Sequence, residues 1–229
     1  ILITGATGLI GKEIGKKLVA AGHDITVLTR NINAAKSSLP FPAKYLVWNH
    51  YTEALPPSYF DGIDSVIHLA GESIASGRWT SRRKKLILDS RVIGTRNIVN
   101  AIKSNHRTVK QFISASAIGI YGNGDELVNE HSRAGQGFLS EVCQQWEKES
   151  QELKTIGVNV VNPRIGIVLS RNGGALEKML PLFSMGVGGI IGNGKQWMSW
   201  IHQEDLTNMF SFFINNPQLN GAFNAVAPT

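Results

Sequence analysis

The fold class predicted for this chain of 229 residues is α/β, a doubly wound parallel sheet. Three observations predict it. The apolar run Ile1-Leu2-Ile3-Thr4 leads directly into Gly5-Ala6-Thr7-Gly8-Leu9-Ile10-Gly11 and then a helical stretch from Lys12 to Ala21. Short apolar runs then recur with helical patterns between them. Those runs are continuously apolar rather than alternating, as in strands covered on both faces.

Taken in order, the first unit is a strand, a glycine-rich turn and a helix. Gly5 permits the tight turn, Gly8 lets a ligand's phosphates approach the backbone, and Gly11 lets helix and strand pack closely. The helix N-terminus adds free N–H groups and a partial positive charge, so the unit is suited to a pyrophosphate. Asp24 to Thr29 reads as the second strand after Gly22-His23, and Lys44 to Trp48 as the third. Ser65 to Ala70 is the fourth, followed by a long helix from Ser81 to Ser104. Gln111 to Ala115 is the fifth strand, Phe138 to Thr155 a helix, Val158 to Asn162 the sixth strand and Ala222 to Val226 the last. In such sheets the ligand lies outside the carboxyl ends of the strands. Residues 1–170 read as a dinucleotide-binding Rossmann core. Residues 171–229 read as the start of a small, incomplete C-terminal substrate lobe plus a late core strand. The stop at Val226-Ala227-Pro228-Thr229 suggests a natural chain that continues.

Composition narrows the function classes. Cys143 is the only cysteine, which excludes an internal disulfide and fits a reducing, cytoplasmic compartment. There is no repeat, and no apolar run is long enough to span a bilayer, so no membrane partner is expected. The net charge of +6 is concentrated in Arg78, Arg82, Arg83, Lys84, Lys85 and Arg91. These surround one helix, Trp79 to Ala101, whose Leu86, Leu88, Val92, Ile93, Ile98 and Val99 are expected against the sheet. A solvated helix face accounts for most of the charge, with a phosphate contact for one or two members as the alternative. Nucleic acid is not an expected partner, because no aromatic stacking surface accompanies the charge. A small-molecule substrate is expected, and the oligomeric state is open.

The end of the second strand discriminates between dinucleotides. An NAD site places a carboxylate there for the ribose hydroxyls. Here the residues are Thr29-Arg30-Asn31, and Asp24 is at the wrong end of the strand. A guanidinium suits the extra phosphate of NADP through paired charge-assisted hydrogen bonds. The expected cofactor is therefore NADP(H).

Several phrases carry a family resemblance. Thr4-Gly5-Ala6-Thr7-Gly8-Leu9-Ile10-Gly11 resembles the TGxxGxxG fingerprint of the extended short-chain dehydrogenases/reductases. His68-Leu69-Ala70-Gly71 resembles their HLAA segment, Val92-Ile93-Gly94-Thr95 their VxGT, and Ser114-Ala115-Ser116 with Tyr121-Gly122 their SSxxVYG stretch. Trp200-Ile201-His202-Gln203-Glu204-Asp205-Leu206 is similar to their late FIHVDD-like stretch. More narrowly, Ala70-Gly71-Glu72, Arg78-Trp79-Thr80, Asp89-Ser90-Arg91, Trp146-Glu147, Gly173-Gly174-Ala175-Leu176 and Ser199-Trp200-Ile201-His202 resemble one atypical branch, the epimerase family assigned to nucleotide sugars. The resemblance implies a Rossmann core and NADP(H) held by Gly5, Thr7, Gly8, Leu9, Ile10, Gly11, Thr29, Arg30, Leu69, Ala70, Gly71 and Glu72. Arg91 and Arg164 are added as cations at the cofactor side. For Arg91 a bridging surface role, and for Arg164 a structural ion pair, stay open.

The catalytic pattern breaks. The wider family uses Tyr-x-x-x-Lys, in which the lysine lowers the tyrosine pKa so that the phenolate can move a proton. None of the four tyrosines, Tyr45, Tyr51, Tyr59 and Tyr121, has a lysine four residues on. Alignment through Trp146 puts Phe138 at the tyrosine position and Val142 at the lysine position. The catalytic candidates left are Ser116, to orient a substrate oxygen, and Tyr121, an unassisted acid. Their alternatives are a strand-end serine and a core or pocket-wall aromatic. His202 with Glu204 and Asp205 matches no metal-site spacing. His131 is placed in a solvent-facing loop from Asn123 to Gln136, and Trp197, Met198 and Trp200 are read as core packing rather than a lid. Two functions follow: an NADP(H)-binding oxidoreductase or epimerase-like enzyme on a small carbonyl or nucleotide sugar, or a non-catalytic NADP(H)-binding sensor or scaffold.

Overall fold

Each of the seven predicted apolar runs becomes a strand of one parallel sheet. The computed structural model describes residues 1–49, 54–105, 109–190 and 192–228. Its elements run β1 (Leu2–Thr4), α1 (Leu9–Ala20), β2 (Thr26–Thr29), α2 (Ile32–Ser38), β3 (Lys44–Val47) and β4 (Ser65–His68). Next come α3 (Ser81–Asn105), β5 (Gln111–Ser114), β6 (Ser116–Ala117), α4 (Phe138–Gln151) and β7 (Asn159–Ile165). The chain then forms β8 (Ile167–Ser170), α5 (Gly174–Ser184), β9 (Trp200–His202), α6 (Gln203–Asn215) and β10 (Gly221–Ala225). The main sheet has the order β10-β7-β5-β4-β1-β2-β3, with β6 also paired to β7. All its pairings are parallel.

The continuous apolar runs follow from a sheet covered on both faces. Ile3, Val27, Ile67, Ile113 and Val161 pack with Ile14 and Leu18 of α1 and with Phe210 and Phe213 of α6. Their neighbours Leu2, Leu28, Val66, Phe112 and Val160 point the other way, into a second core with Ile98, Val99 and Ile102 of α3. Successive residues of each strand therefore serve opposite cores, as the strand's period of two requires. Strand β7 extends three residues beyond its predicted end. Pro163, which has no N–H to give, falls where pairing with β5 has stopped at Val161 and pairing with β6 resumes at Arg164. The Asn162 side chain fills the gap by donating to the Ser114 carbonyl at 3.1 Å.

The late region contains a unit that periodicity does not reveal. Strands β8 and β9 pair in parallel as a separate two-stranded sheet. The intervening α5 contains no buried residue. Core packing for Trp197, Met198 and Trp200 is corrected: they are 78%, 48% and 42% exposed. In β9 only Ile201 is buried; Trp200 beside it, and Trp197 and Met198 before the strand, have no opposing surface that covers them. Likewise Leu86 is exposed and Ile87 takes the inward position on α3.

Candidate functional site

The order of the sheet reverses at the β1–β4 boundary, which is where open α/β sheets bind ligands. Thr4 ends β1, and the turn begins at Gly5 with φ +71°. Gly8 N–H donates to the Gly5 carbonyl at 3.0 Å and closes the turn. A Cβ on Gly5 would lie 2.8 Å from the Ala70 nitrogen, and one on Gly11 would strike the Gly5 carbonyl oxygen. Both glycines are therefore required by close backbone approach as well as by turn geometry. The turn delivers the N-terminus of α1, with Gly8 as N-cap and no side chain capping it. The open N–H groups there, together with the positive end of the helix, fit an anionic ligand such as a dinucleotide's diphosphate.

A buried relay fixes the turn to β4. Thr95 Oγ1 donates to the Arg91 carbonyl at 2.6 Å, so it accepts from His68 Nε2 at 3.1 Å. His68 Nδ1 then accepts from Thr4 Oγ1 at 2.7 Å, and Thr4 Oγ1 accepts the N–H groups of Leu69 and Ala70, each at 3.2 Å. The pattern assigns the Nε2-protonated tautomer. Thr4, His68 and Thr95 are all fully buried. Thr95 and His68 stand in the family-like phrases, but neither could be assigned this positioning work without the fold.

Thr4 pairs with Leu28, and Thr29, paired with Val47, ends β2, so Arg30 is the first residue to leave the sheet on the glycine-turn side. Arg30 is exposed there. Thr29 Oγ1 and the Asn31 backbone are 3.3 Å apart, and Asn31 caps α2 by accepting from the Ala34 N–H. On the far side of the turn, a cleft of about 310 Å³ is lined by Thr7, Leu9, Lys12, Glu13, Asn172 and Gln203. Gln203 donates to the Leu9 carbonyl at 3.2 Å and ties α6 to the turn. Sequence reading missed Lys12, Asn172 and Gln203, because only the fold brings them to the turn.

The segment after β4 is latched to α3. Glu72 N–H donates to Ser90 Oγ at 3.1 Å, and Arg91 Nη1 donates to the Glu72 carbonyl at 3.0 Å. Arg83 pairs with the Glu72 carboxylate at 2.9 Å and also donates to the Ser73 carbonyl. Of the basic cluster, Arg78, Arg82, Lys84 and Lys85 are exposed, while Arg83 and Arg91 turn in toward this segment.

Ser116 and Tyr121 come together through Arg164. Ser116 Oγ donates to Glu147 Oε1 at 2.6 Å. Arg164 grips the same carboxylate with Nε and Nη2, each at 3.0 Å. Its Nη1 donates to Tyr121 Oη at 2.9 Å and to the Glu130 carbonyl at 3.1 Å. Tyr121 Oη in turn donates to Asn224 Oδ1 at 2.6 Å. Burial works against the Arg164 charge, but the hydrogen bonds to Glu147 and Tyr121 outweigh it and hold the guanidinium above its ordinary pKa. Arg164 thus forms the ion pair that the sequence left open, with Glu147 as its partner. Cys143 lies in the same region, and burial pushes its thiol pKa up, away from a reactive thiolate.

Glu130 ties the exposed loop carrying His131 to the sheet edge, where its carboxylate accepts from the Asn224 N–H at 2.7 Å. That bond leads the causes lowering its pKa below the ordinary glutamate value. A lowered folded-state pKa contributes stability at neutral pH that is lost as the pH falls through that folded value. Glu130→Gln is therefore expected to be less stable than the parent at pH 7, with the gap closing under acid. Urea unfolding across that range checks it, and a gap that widened on acidification would contradict it.

A family model described as NAD dependent epimerase/dehydratase matches residues 1–225. The chain belongs to this family. Its place is in the epimerase branch of the extended short-chain dehydrogenases/reductases, as the motifs implied. It is 37% identical over 229 residues to an epimerase family protein of Mycobacterium bovis, covering 100% of this chain and 73% of that one. It is 36% identical over 230 residues to epimerase family protein YfhF of Bacillus subtilis, covering 100% and 74%. The crystal structure of human epimerase family protein SDR39U1 with NADPH superposes with a TM-score of 0.86 at 30% identity, covering 100% of this chain and 74% of that one. The structure of a nucleoside-diphosphate sugar epimerase from Corynebacterium glutamicum gives a TM-score of 0.82 at 35% identity. This chain spans 46% of that protein.

Within this epimerase-family fold, Phe138 and Val142 stand at the start of α4. Val142 is buried, and Phe138 is half-buried with Trp79 edge-on at 5.7 Å and Lys84 over its ring at 5.4 Å. Neither can carry a proton. Tyr121 is therefore joined to Arg164 rather than to a lysine, and Tyr51 lies outside the described residues. His202 caps α6 by accepting from the Glu204 N–H at 3.4 Å. No helix among the described residues is long and apolar enough to cross a membrane.

Proposed function

We propose that this chain binds NADP(H) across the β1–β4 boundary and serves an oxidoreductase or epimerase-like reaction on a small carbonyl or nucleotide-sugar substrate. The observation that carries the cofactor is the glycine turn at the sheet's switch point with Arg30 beside it. Gly5, Thr7, Gly8, Leu9, Ile10 and Gly11 would present backbone to the diphosphate. Thr29 and Arg30 would meet the adenosine ribose and its 2′-phosphate, and Leu69, Ala70, Gly71 and Glu72 would border the middle of the dinucleotide. The tight backbone approach at Gly5 and Gly11 supports this reading, since it holds the α1 N-terminus close against the end of β1 and the segment after β4. When bound, the cofactor supplies hydride chemistry; the chain's own task is to hold it and its substrate. Residues 171–229 would hold the start of the substrate lobe together with the late core strand. The human relative with NADPH supports the cofactor choice, and the nucleoside-diphosphate sugar epimerase of Corynebacterium glutamicum supports the substrate class.

A second reading, a non-catalytic NADP(H) sensor or scaffold, is favoured by one specific observation. The Ser116 hydroxyl proton goes to Glu147 and the Tyr121 proton to Asn224, so both candidate proton donors are engaged inside the protein.

Titration with NADPH and NADH, followed by tryptophan quenching, tests the cofactor. NADPH is expected to bind at least about tenfold tighter, because one charge-assisted phosphate contact is worth about 1.5–3 kcal/mol. Arg30→Ala is expected to abolish the preference while leaving NADH binding in place. Equal affinities in the parent would defeat the NADP reading. Transfer of label from the nicotinamide to a metabolite pool then separates enzyme from sensor.

A further inference from the structure

We infer that the cleft between the phosphate turn and the late βαβ unit is a second wall of the dinucleotide site, where Lys12 supplies a counter-charge to the diphosphate and Asn172 an amide. The inference rests on the NADP(H) reading above and adds side chains to a turn whose other proposed contacts are backbone. Thr7, Lys12 and Glu13 line the cleft from the turn and α1, and Asn172 lines it from the β8–α5 connection. Lys12 N–H donates to the Gly8 carbonyl at 3.1 Å, so the residue stands one helical turn above Gly8. Helical side chains lean back toward the N-terminus, which brings the Lys12 stem toward Thr7 and the open N–H groups of α1. The first turn of α1 holds no acidic residue. Lys12 is half-buried, and among the described residues its amine has no hydrogen bond or ion pair. A cation drawn partly out of water without a partner is costly, and an anion at the turn would offset that cost.

The opposite wall is held firm. Ser170 and Gly173 pair in antiparallel fashion across Arg171-Asn172, and Asn172 N–H donates to Ser170 Oγ at 3.1 Å. Asn172 therefore stands at the tip of a tight turn, and among the described residues its side-chain amide is uncommitted. Gly173 brings this tip against the phosphate turn: an added Cβ there would lie 3.0 Å from Leu9 Cδ1. Gln203 fastens the same point from α6 through the Leu9 carbonyl. A diphosphate on the N–H groups that begin at Leu9 would have the Lys12 ammonium and the Asn172 amide beside it, both donors suited to phosphate oxygens. Glu13 opposes them. Its carboxylate lines the same cleft and, among the described residues, forms no ion pair with Lys12, so it works against an anion there. Lys12 and Glu13 should therefore act on the ligand with opposite sign.

The test compares Lys12→Met, Asn172→Ala and Glu13→Gln with the parent chain at low ionic strength, where screening is weak. The ligands are NADPH, NADH and adenosine 2′-monophosphate, which lacks the diphosphate. Lys12→Met is expected to weaken NADPH and NADH about fivefold to tenfold, as for one partly exposed charge-assisted contact, with adenosine 2′-monophosphate within about twofold of the parent. Asn172→Ala is expected to weaken both dinucleotides about threefold, and Glu13→Gln to tighten them by about the same factor. Unchanged dinucleotide affinity in Lys12→Met or in Asn172→Ala overturns the proposal. A Lys12→Met loss shared by adenosine 2′-monophosphate also overturns it, making Lys12 a brace of the turn or a contact of the 2′-phosphate. Unchanged or weaker dinucleotide binding by Glu13→Gln overturns it as well, since no anion would then sit in the cleft. If Lys12→Met does not fold, Lys12→Gln is judged by the same ligands and criteria. A parent chain that binds none of the three ligands would instead sink the NADP(H) reading itself, a result distinct from a selective Lys12 effect.

Discussion

Arg164→Met is expected to lower folding stability by about 3–5 kcal/mol, the range for removing one member of a buried ion pair. The Arg164 and Glu147 side chains are 10% and 13% exposed, so the carboxylate left behind has little water to replace the guanidinium. The loss spreads beyond the pair. Ser116 would still donate to an uncompensated carboxylate, and Tyr121 and the Glu130 carbonyl would each lose a donor. Because Arg164 joins β7, α4, the loop at Glu130 and, through Tyr121, β10, the variant is also expected to loosen that sheet edge. Urea unfolding measures the first effect and amide exchange in β10 the second. The double variant Arg164→Met/Glu147→Leu should recover much of the loss, since replacing both charges by apolar groups is often near neutral. A single variant within about 1 kcal/mol of the parent would show that the pair is solvated in solution.

The same network shows where sequence reading stops. The main sheet was legible because it depends on local signals: apolar runs, glycine punctuation and helices of ordinary length. All seven runs are in it, and the glycine turn is at its switch point. Glu147 stands in the family-like phrase Trp146-Glu147, but its role had no local signal, since a glutamate on a predicted helix is indistinguishable from a solvated one. Its role appears only when β6, β7 and α4 converge, bringing together residues 31 and 17 positions apart. His68 and Thr95 present the same problem, 27 positions apart on a strand and a helix.

The late region failed differently. Its residues are apolar, so core packing was the natural expectation for Trp197, Met198 and Trp200. Burial, however, depends on an opposing surface, which composition cannot supply. The βαβ unit formed by β8, α5 and β9 satisfies its backbone in two short strands and turns one residue of β9 inward. Leu182, Phe183, Met185, Val187 and Ile190 remain exposed as well. The short strands also explain the missed unit: three or four residues are too few for a period to register.

Gly11→Ala sets local propensity directly against tertiary packing. Gly11 lies inside α1, where alanine is normally favoured over glycine by about 1 kcal/mol. On propensity alone the change would stabilise. A Cβ at this position, however, meets the Gly5 carbonyl oxygen, with Ala6 Cα at 2.7 Å and Ala6 C at 3.0 Å. These are main-chain atoms and cannot rotate aside. Relief requires α1 to move away from the turn, against the Gly8 N–H to Gly5 carbonyl bond and the packing of Ile14 and Leu18. Forced overpacking of this kind costs about 1–3 kcal/mol, so the expected net effect is destabilisation by about 1–2 kcal/mol. The larger effect is on binding. Shifting the helix N-terminus by even an ångström misaligns the N–H groups proposed to hold the diphosphate, and a misplacement of that size commonly costs about 100-fold in function. NADPH affinity is therefore expected to fall by about that factor while the variant remains folded. Gly124→Ala is the control for glycine as such, because its backbone is outside the left-handed region and a Cβ there meets nothing within 4 Å; it should bind NADPH like the parent. If Gly11→Ala were more stable and bound NADPH normally, the turn would have to be looser in solution than its contacts indicate, and the close approach of α1 to β1 could not be what holds the site in shape.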